Sequence, residues 1–315
     1  MKFRNLGSSD LRVSLVGLGC NNFGGRIDLD ASRKVIDKAI EAGITLFDTA
    51  DIYGSAGGSE EILGQVLGSR RKDIVLATKF GMQMGEDASK KGASRKYIMA
   101  AAEDSLRRLR TDWIDLYQLH QPDPSTPIEE TLRALDDLAK QGKVRYIGVS
   151  NMQAWQVVDS LWTSKTNGLS AFLSCQDEYS LLVRDPEKEL IPAMEAKGLG
   201  LLPYFPLASG LLTGKYRGGH MPEGTRIANT QRLRDRVMTD KNVRIVEALG
   251  EFAKSRGRTM LELAFGWLTS HPVLSSVIAG ATKPEQVEAN AKAADWELTA
   301  EEMAEVDRLS EVAAA

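Results

Sequence analysis

Asp48, Tyr53, Lys79 and His120 stand at or just beyond the ends of β-prone runs. Asp48 closes Gly43-Ile44-Thr45-Leu46-Phe47-Asp48, and Tyr53 follows one loop later in Asp51-Ile52-Tyr53-Gly54. Lys79 closes Asp73-Ile74-Val75-Leu76-Ala77-Thr78-Lys79, and His120 closes Ile114-Asp115-Leu116-Tyr117-Gln118-Leu119-His120. A carboxylate, a phenol, an ammonium and an imidazole together suit the reduction of a carbonyl group, which needs a hydride on carbon and a proton on oxygen. A free phenol, with a pKa of about 10, is too weak an acid near neutrality. A nearby ammonium favours the phenolate and can lower that value by roughly 1–3 units. The carboxylate would hold the ammonium charged and in place, and the imidazole would orient the carbonyl oxygen. Taken singly, each residue has a plainer role: a turn or cap aspartate, a packing tyrosine, a solvated lysine, a satisfied histidine. Only as a set do they point to chemistry.

Bringing the set together requires a scaffold in which successive strand ends converge. Short β-rich runs alternate with helical patterns at 15–20, 44–48, 74–78, 114–119, 144–149, 171–175, 199–203 and 275–279. Eight such alternations imply a closed parallel (β/α)₈ barrel, whose strand carboxyl ends share one mouth. The helical pattern at 128–139 carries Ile128, Leu132, Leu135 and Ala139 on one stripe, with Gly142 beyond its end. Thr126 with Glu129, Thr259 with Glu262 and Thr282 with Glu285 have capping-box spacing, and Pro127 suits a first turn. Gly7-Ser8-Ser9-Asp10 lies between two short extended runs within residues 2–14, as in a hairpin preceding the first barrel strand. Additional helices follow toward the C-terminus. No Pro/Ser-rich linker divides residues 1–315, so one domain is expected. Residues 206–238 show weak periodicity and many bases, among them Lys215, Arg217, Arg226, Arg232, Arg234 and Arg236. They suit either an anionic ligand or a solvated surface loop.

Composition narrows the partners. With 43% hydrophobic and 26% charged residues and a net charge of −3 at pH 7, the chain has no basic footprint for nucleic acid. No apolar run reaches the ~18 residues of a membrane helix, and the start lacks a signal peptide's apolar core. Cys20 and Cys175 make no disulfide framework, so a cytoplasmic setting and a plain core role for both are expected. The histidines and cysteines lack metal-ligand spacing. Oligomeric state is not legible.

Phe47-Asp48-Thr49-Ala50-Asp51-Ile52-Tyr53-Gly54, followed by Ser59-Glu60-Glu61-Ile62-Leu63-Gly64, resembles the first signature of the aldo-keto reductases. Ala77-Thr78-Lys79, Leu119-His120, Gly148-Val149-Ser150-Asn151, Gln176 and Pro203-Tyr204-Phe205-Pro206-Leu207 extend the resemblance, which runs from about residue 4 to residue 310. Leu211-Leu212-Thr213-Gly214-Lys215-Tyr216 and Gly280-Ala281-Thr282-Lys283-Pro284-Glu285-Gln286 are similar to the branch of bacterial stress-type reductases and potassium-channel β-subunits. The resemblance implies reversible reduction of a small-molecule aldehyde or ketone with NADP(H), favoured over NAD(H). Asp48, Tyr53, Lys79 and His120 would be the catalytic residues, with Tyr53 the general acid. Ser150, Asn151 and Gln176 would hold the nicotinamide and Tyr204 would stack on it. Pro206, Leu207, Gly210, Lys215, Arg226, Gly280, Thr282, Lys283, Gln286 and Asn290 would complete the cofactor site. Lys283, Lys215 and Arg226 would be its phosphate partners.

The chain departs from the family pattern in three places. Phe205 replaces a serine, Gln286 stands where many members carry arginine, and Ala289 replaces a glutamate. Few residues follow the helix starting near Thr299, so the long C-terminal loop that narrows the pocket in many members is absent and an open site is expected. Phe23, Phe80, Met82 and Trp155 are weaker pocket candidates beside a plain core role. Two other functions compete. Gly17-Leu18-Gly19-Cys20-Asn21-Asn22 invites a Rossmann reading, but the third glycine is missing and the helix near Asp30 starts too late to meet a pyrophosphate. A nucleotide-sensing regulatory subunit with little turnover would bind NADPH and a protein partner; turnover of a generic aldehyde separates it from an enzyme. Glycosidase chemistry would need paired acids, and Asp48 beside Lys79 does not suit it.

Overall fold

The computed structural model describes residues 1–216, 221–223, 225 and 227–311. It opens with the expected hairpin, β1 (Phe3–Asn5) antiparallel to β2 (Arg12–Ser14). Gly7 turns the hairpin with φ 55°, and a Cβ there would stand 2.7 Å from the Gly198 carbonyl oxygen. This close approach seats the hairpin against the amino-terminal end of the barrel.

Eight parallel strands follow: β3 (Val16–Gly19), β4 (Leu46–Asp48), β5 (Val75–Phe80), β6 (Ile114–Leu119), β7 (Val144–Ser150), β8 (Phe172–Gln176), β9 (Gly200–Leu201) and β10 (Val277–Gly280). From β4 to β9 each strand pairs with the one before it, and β10 returns to pair with β3. Three hydrogen bonds close the ring beside β9: Leu201 N–H to Val273 O (2.8 Å), Ser275 N–H to Leu201 O (2.9 Å) and Ile278 N–H to Pro203 O (3.2 Å). The (β/α)₈ barrel of the sequence expectation is therefore present, and every expected strand falls within two or three residues of its observed position. β5 and β6 are buried along their whole length, which is why they read as mostly apolar runs without an alternating polar face. Inward-facing Leu46, Val75, Ala77, Leu116, Leu202 and Ile278 pack on Leu6 and Val13 of the hairpin and fill the barrel floor. Outward-facing residues pack on the helices in a larger core. A filled floor leaves the carboxyl-end mouth as the place for polar side chains.

Two caps differ from expectation. Thr126 does not cap the helix Ile128–Lys140. Pro127 holds the cap position with no side-chain bond. The Thr126 hydroxyl instead donates to Asp123 Oδ2 at 2.8 Å, because the Asp123 carboxylate already organises this turn through Ser125 and Ala93. Thr282 does not pair with Glu285: its N–H and hydroxyl both reach Gln286 Oε1, at 2.7 and 3.2 Å. The Thr259–Glu262 box forms as expected. Within 206–238, a 3₁₀ segment spans Ala208–Thr213 and a helix spans Gln231–Val237. The helix is short and mostly charged, so it left little periodicity in the sequence. Arg217 and Arg226 lie outside the described residues. No helix among the described residues is long and apolar enough to cross a membrane.

The helix containing Tyr53 is fixed by a glycine. A Cβ on Gly64 would stand 2.2 Å from the Arg108 carbonyl oxygen on the neighbouring helix Arg95–Leu109. Gly64→Ala must push the two helices apart, an overpacking cost on the order of 1–3 kcal/mol. Calorimetry should show a melting temperature several degrees lower; an unchanged value would mean that the helices have room to spare.

Candidate active site

Three consecutive barrel strands deliver the first group of side chains. Asp48 ends β4, Lys79 is the next-to-last residue of β5 and His120 follows β6. Lys79 is fully buried. Its Nζ donates to Asp48 Oδ2 at 2.7 Å and to the Thr49 carbonyl at 2.8 Å. The Tyr53 ring lies against the same ammonium, whose Nζ sits 5.1 Å from the ring centroid. Asp48 Oδ1 accepts from Gln176 Nε2 at 2.8 Å and from Gln118 Nε2 at 3.2 Å. The rings of Tyr53 and His120 meet edge to face, 5.7 Å apart. All four residues that the sequence singled out thus meet at the carboxyl end of the barrel.

The backbone around Tyr53 is unusual. Gly54, Ser55, Ala56 and Gly57 all have positive φ, at 69°, 62°, 68° and 116°. A Cβ at Gly54 would meet Phe23 O at 2.5 Å and Ser59 N at 2.6 Å, so only glycine fits. Left-handed non-glycine residues cost of order 1–3 kcal/mol each. Two of them, Ser55 and Ala56, follow Gly54 here, both exposed, with the Ala56 N–H donating to Ile52 O at 3.2 Å.

Protonation states follow from burial and charge. Burial and, secondarily, the Lys79 ammonium push His120 down to about 3, so its imidazole is neutral at physiological pH; its Nδ1 is buried without a hydrogen-bond partner. Burial alone would lower the Lys79 ammonium, but Asp48 and Tyr53 outweigh it and hold the group above its usual value. Tyr53 departs from expectation. Burial raises its phenol, Lys79 pulls against that rise, and the net position is above the ordinary tyrosine value. Lys79 offsets the desolvation without overcoming it, because the phenol has lost more hydration than one shared ammonium returns.

The expected cofactor residues occupy the next part of the ring. Ser150 Oγ donates to Gln176 O at 2.7 Å. Asn151, with φ 58°, donates from Nδ2 to His120 O at 3.0 Å and accepts from the Tyr204 hydroxyl at 2.8 Å. Ser150, Asn151, Gln176 and Tyr204 therefore form one linked patch beside His120. Pro206 and Leu207 lead into the turn that carries Gly210. There the Ser209 hydroxyl is buried without a partner, and Lys215 Nζ lies 3.5 Å from where a Gly210 Cβ would stand. An orphan hydroxyl, an ammonium and a left-handed glycine on one turn fit the phosphate end of a dinucleotide. Gly280 abuts Asn22 and Asn21, at 3.2 and 3.3 Å from an added Cβ. Thr282 and Gln286 bond to each other, Asn290 is buried, and Lys283 is exposed with no ion pair among the described residues. Arg226 lies outside the described residues. Of the weaker pocket candidates, Phe23 and Phe80 are core residues, Phe80 packing 4.7 Å from Tyr117. Trp155 is 62% exposed.

Sequence reasoning missed Gln118. The signal was a polar residue near the end of a mostly apolar strand, two positions before His120 and so on the same face. Gly148 makes room for it: a Cβ there would be 3.2 Å from Gln118 Cγ and 2.6 Å from Ser174 Oγ.

The model of the aldo/keto reductase family matches residues 15–311. A "Probable voltage-gated potassium channel subunit beta" of Oryza sativa subsp. japonica is 38% identical over 302 residues, 94% of this chain and 92% of that protein. "L-glyceraldehyde 3-phosphate reductase" of Escherichia coli strain K12 is 34% identical over 323 residues, 98% of this chain and 92% of that protein. A "Putative voltage-gated potassium channel subunit beta" of Schizosaccharomyces pombe is 35% identical over 322 residues, 98% of this chain and 92% of that protein.

Because Asp48 and Lys79 neutralise each other away from solvent, breaking the pair from either side should cost about 3–5 kcal/mol. Denaturant unfolding of Asp48→Asn, Lys79→Met and the double variant should give a double-variant loss well below the sum of the singles. Additive losses would show that the two charges do not depend on each other.

Proposed function

From a chain that belongs to the aldo/keto reductase family, we propose an NADP(H)-dependent reductase of aldehydes and ketones that works reversibly with Tyr53 as its general acid. The observation that carries this reading is the buried Lys79 ammonium, held by Asp48 and set against the Tyr53 ring at the mouth. The family generally uses a nicotinamide cofactor, usually NADP(H). When bound, that cofactor supplies the hydride for the carbonyl carbon. Ser150, Asn151, Gln176, Tyr204, Pro206, Leu207, Gly210, Lys215, Gly280, Thr282, Lys283, Gln286 and Asn290 would hold it. Tyr53 transfers its phenolic proton to the carbonyl oxygen. A phenol above its ordinary pKa is fully protonated at neutral pH, which is the state a proton donor needs. Lys79 then stabilises the phenolate left behind, with Asp48 keeping the ammonium in place. The neutral His120 imidazole offers a hydrogen bond that orients the carbonyl oxygen. In the reverse direction the same groups take the proton from the alcohol.

A second reading draws on the relatives named as potassium-channel subunits. Here the chain binds the nucleotide and a protein partner with little turnover. Oxidation of NADPH by a reactive aldehyde separates the two.

Tyr53→Phe keeps the ring and removes the proton donor. Reduction of a reactive aldehyde should fall by roughly 10²-fold or more, with NADPH affinity within a few-fold of the parent, and Lys79→Met should reproduce the loss. Turnover by Tyr53→Phe equal to the parent's would remove Tyr53 from the mechanism and favour the regulatory subunit.

Lys283 stands just after Gly280-Ala281-Thr282, exposed and free of an ion pair among the described residues. A charge-assisted contact with the 2′-phosphate is worth roughly 1.5–3 kcal/mol. Lys283→Ala should therefore weaken NADPH about tenfold or more in fluorescence titrations and leave NADH nearly unchanged. Equal losses for both cofactors would mean that Lys283 does not read that phosphate.

A further inference from the structure

Behind the Lys79–Tyr53 couple, toward the helix Arg95–Leu109, lies a second buried polar cluster that the proposed reaction leaves unused. Asp51 is 1% exposed and Glu60 is 0% exposed. The Glu60 carboxyl is fully engaged: Thr78 Oγ1 donates to Oε1 at 2.5 Å and Arg108 Nε to Oε2 at 2.7 Å. The other arm of Arg108 reaches Ser105 Oγ at 3.3 Å. Asp51 is treated differently. Neither of its carboxyl oxygens has a hydrogen bond of good geometry; the Ile52 amide and the Tyr97 hydroxyl approach without completing one. The Tyr117 hydroxyl, buried in the same cluster, also has no partner.

The groups facing Asp51 come from every neighbouring element. Glu60 comes from the helix that follows Asp51, Arg108 and Tyr97 from the next helix with Asp104 beside them, Lys79 from β5 and Tyr117 from β6. One guanidinium thus serves two carboxyl groups, and its close contact is with Glu60. A buried carboxylate with neither a donor nor a cation of its own is costly, and taking up a proton removes that cost. The backbone ties the same residue to the reacting groups. Asp51 N–H donates to Lys79 O at 3.1 Å, and Tyr53 lies two residues further on.

We propose that Asp51 is held in the fold as a neutral carboxylic acid and acts as a positioning residue, keeping a second negative charge away from Lys79 so that the ammonium serves only Asp48 and Tyr53. This rests on the reading of Tyr53 as proton donor. Burial and, after it, the Glu60 charge push Asp51 up to about 8, in line with the geometry. Above that pH a carboxylate at Asp51 draws on Lys79 and makes the Tyr53 phenol a weaker acid.

The test has an arm that needs no activity. An acid whose folded pKa is raised contributes stability that is fully present below its unfolded value and is lost as pH rises through the folded one. For Asp51 the loss runs from about pH 4 to about pH 8. Asp51→Asn removes it, so the melting temperature of the variant relative to the parent should rise steadily across that window. A pH-independent difference overturns the proposal. In the second arm, kcat/KM for a reactive aldehyde with NADPH should decline in the parent as pH passes about 8. In Asp51→Asn that limb should disappear, leaving the variant several-fold faster than the parent near pH 9. Superimposable profiles overturn the positioning role. If neither protein turns over a carbonyl at any pH, the reductase reading fails, and the stability arm alone decides the state of Asp51. If Asp51→Asn does not fold, difference infrared spectroscopy of Asp177→Asn, which removes the other buried acid raised into this range, decides: a protonated-carboxyl stretch present near pH 6 and lost above pH 8 supports the proposal, and its absence at pH 6 overturns it.

Discussion

The ion pair between Asp48 and Lys79 is the constraint around which the mouth of the barrel is built. An ammonium with no solvent exposure survives only if its charge and its protons are all answered. Asp48 Oδ2 and Thr49 O take two of the donors, and the Tyr53 ring lies 5.1 Å from the same nitrogen. Sheet register makes this possible. Asp48 pairs with Ala77, which places Lys79 one pleat further toward the mouth, and Lys79 in turn pairs with Gln118. Gln118 and Gln176 then satisfy the second oxygen of Asp48, and glycine at 148 leaves Gln118 its space. Two strand ends, and two supporting amides from β6 and β8, are committed to one charge pair.

That arrangement sets the acidity of Tyr53 by opposition. Burial disfavours the phenolate, Lys79 favours it, and burial prevails in the resting protein. On the proposed mechanism this suits the reaction. The phenol stays protonated until a carbonyl oxygen needs its proton, and the ammonium acts on the charge that develops afterwards. Catalytic effects of this kind depend on dipoles and charges already in place when the charge appears. The left-handed turn at 54–57 and the neutral His120 hold the phenol in position from its other sides.

The barrel was legible because β5 and β6 are buried along their length and so read as mostly apolar stretches, with Lys79 and His120 at or just past their ends. Lys79 and His120 were visible for the same reason. What escaped the sequence depends on contacts between distant residues. Gln118 is one polar residue in a strand, and its partner, Asp48, lies 70 positions away. The caps at Thr126 and Thr282 have the right spacing, but Asp123 and Gln286 compete for the same hydroxyls. The direction of the Tyr53 shift could not be read from residue types, because it is the difference between a burial effect and a charge effect that only the packed structure sets against each other. Asp51 likewise looked like a link in a motif until its neighbours showed one cation shared by two acids.

The most direct test is the ionisation of Tyr53 itself, followed by NMR titration of protein labelled at the tyrosine Cζ, with Tyr53→Phe used to assign its signal. The account predicts that Tyr53 begins to ionise only above the ordinary tyrosine value of about 10, and that Lys79→Met moves it further upward. A Tyr53 that ionises below the ordinary value, or one that titrates identically with and without the lysine, would contradict it.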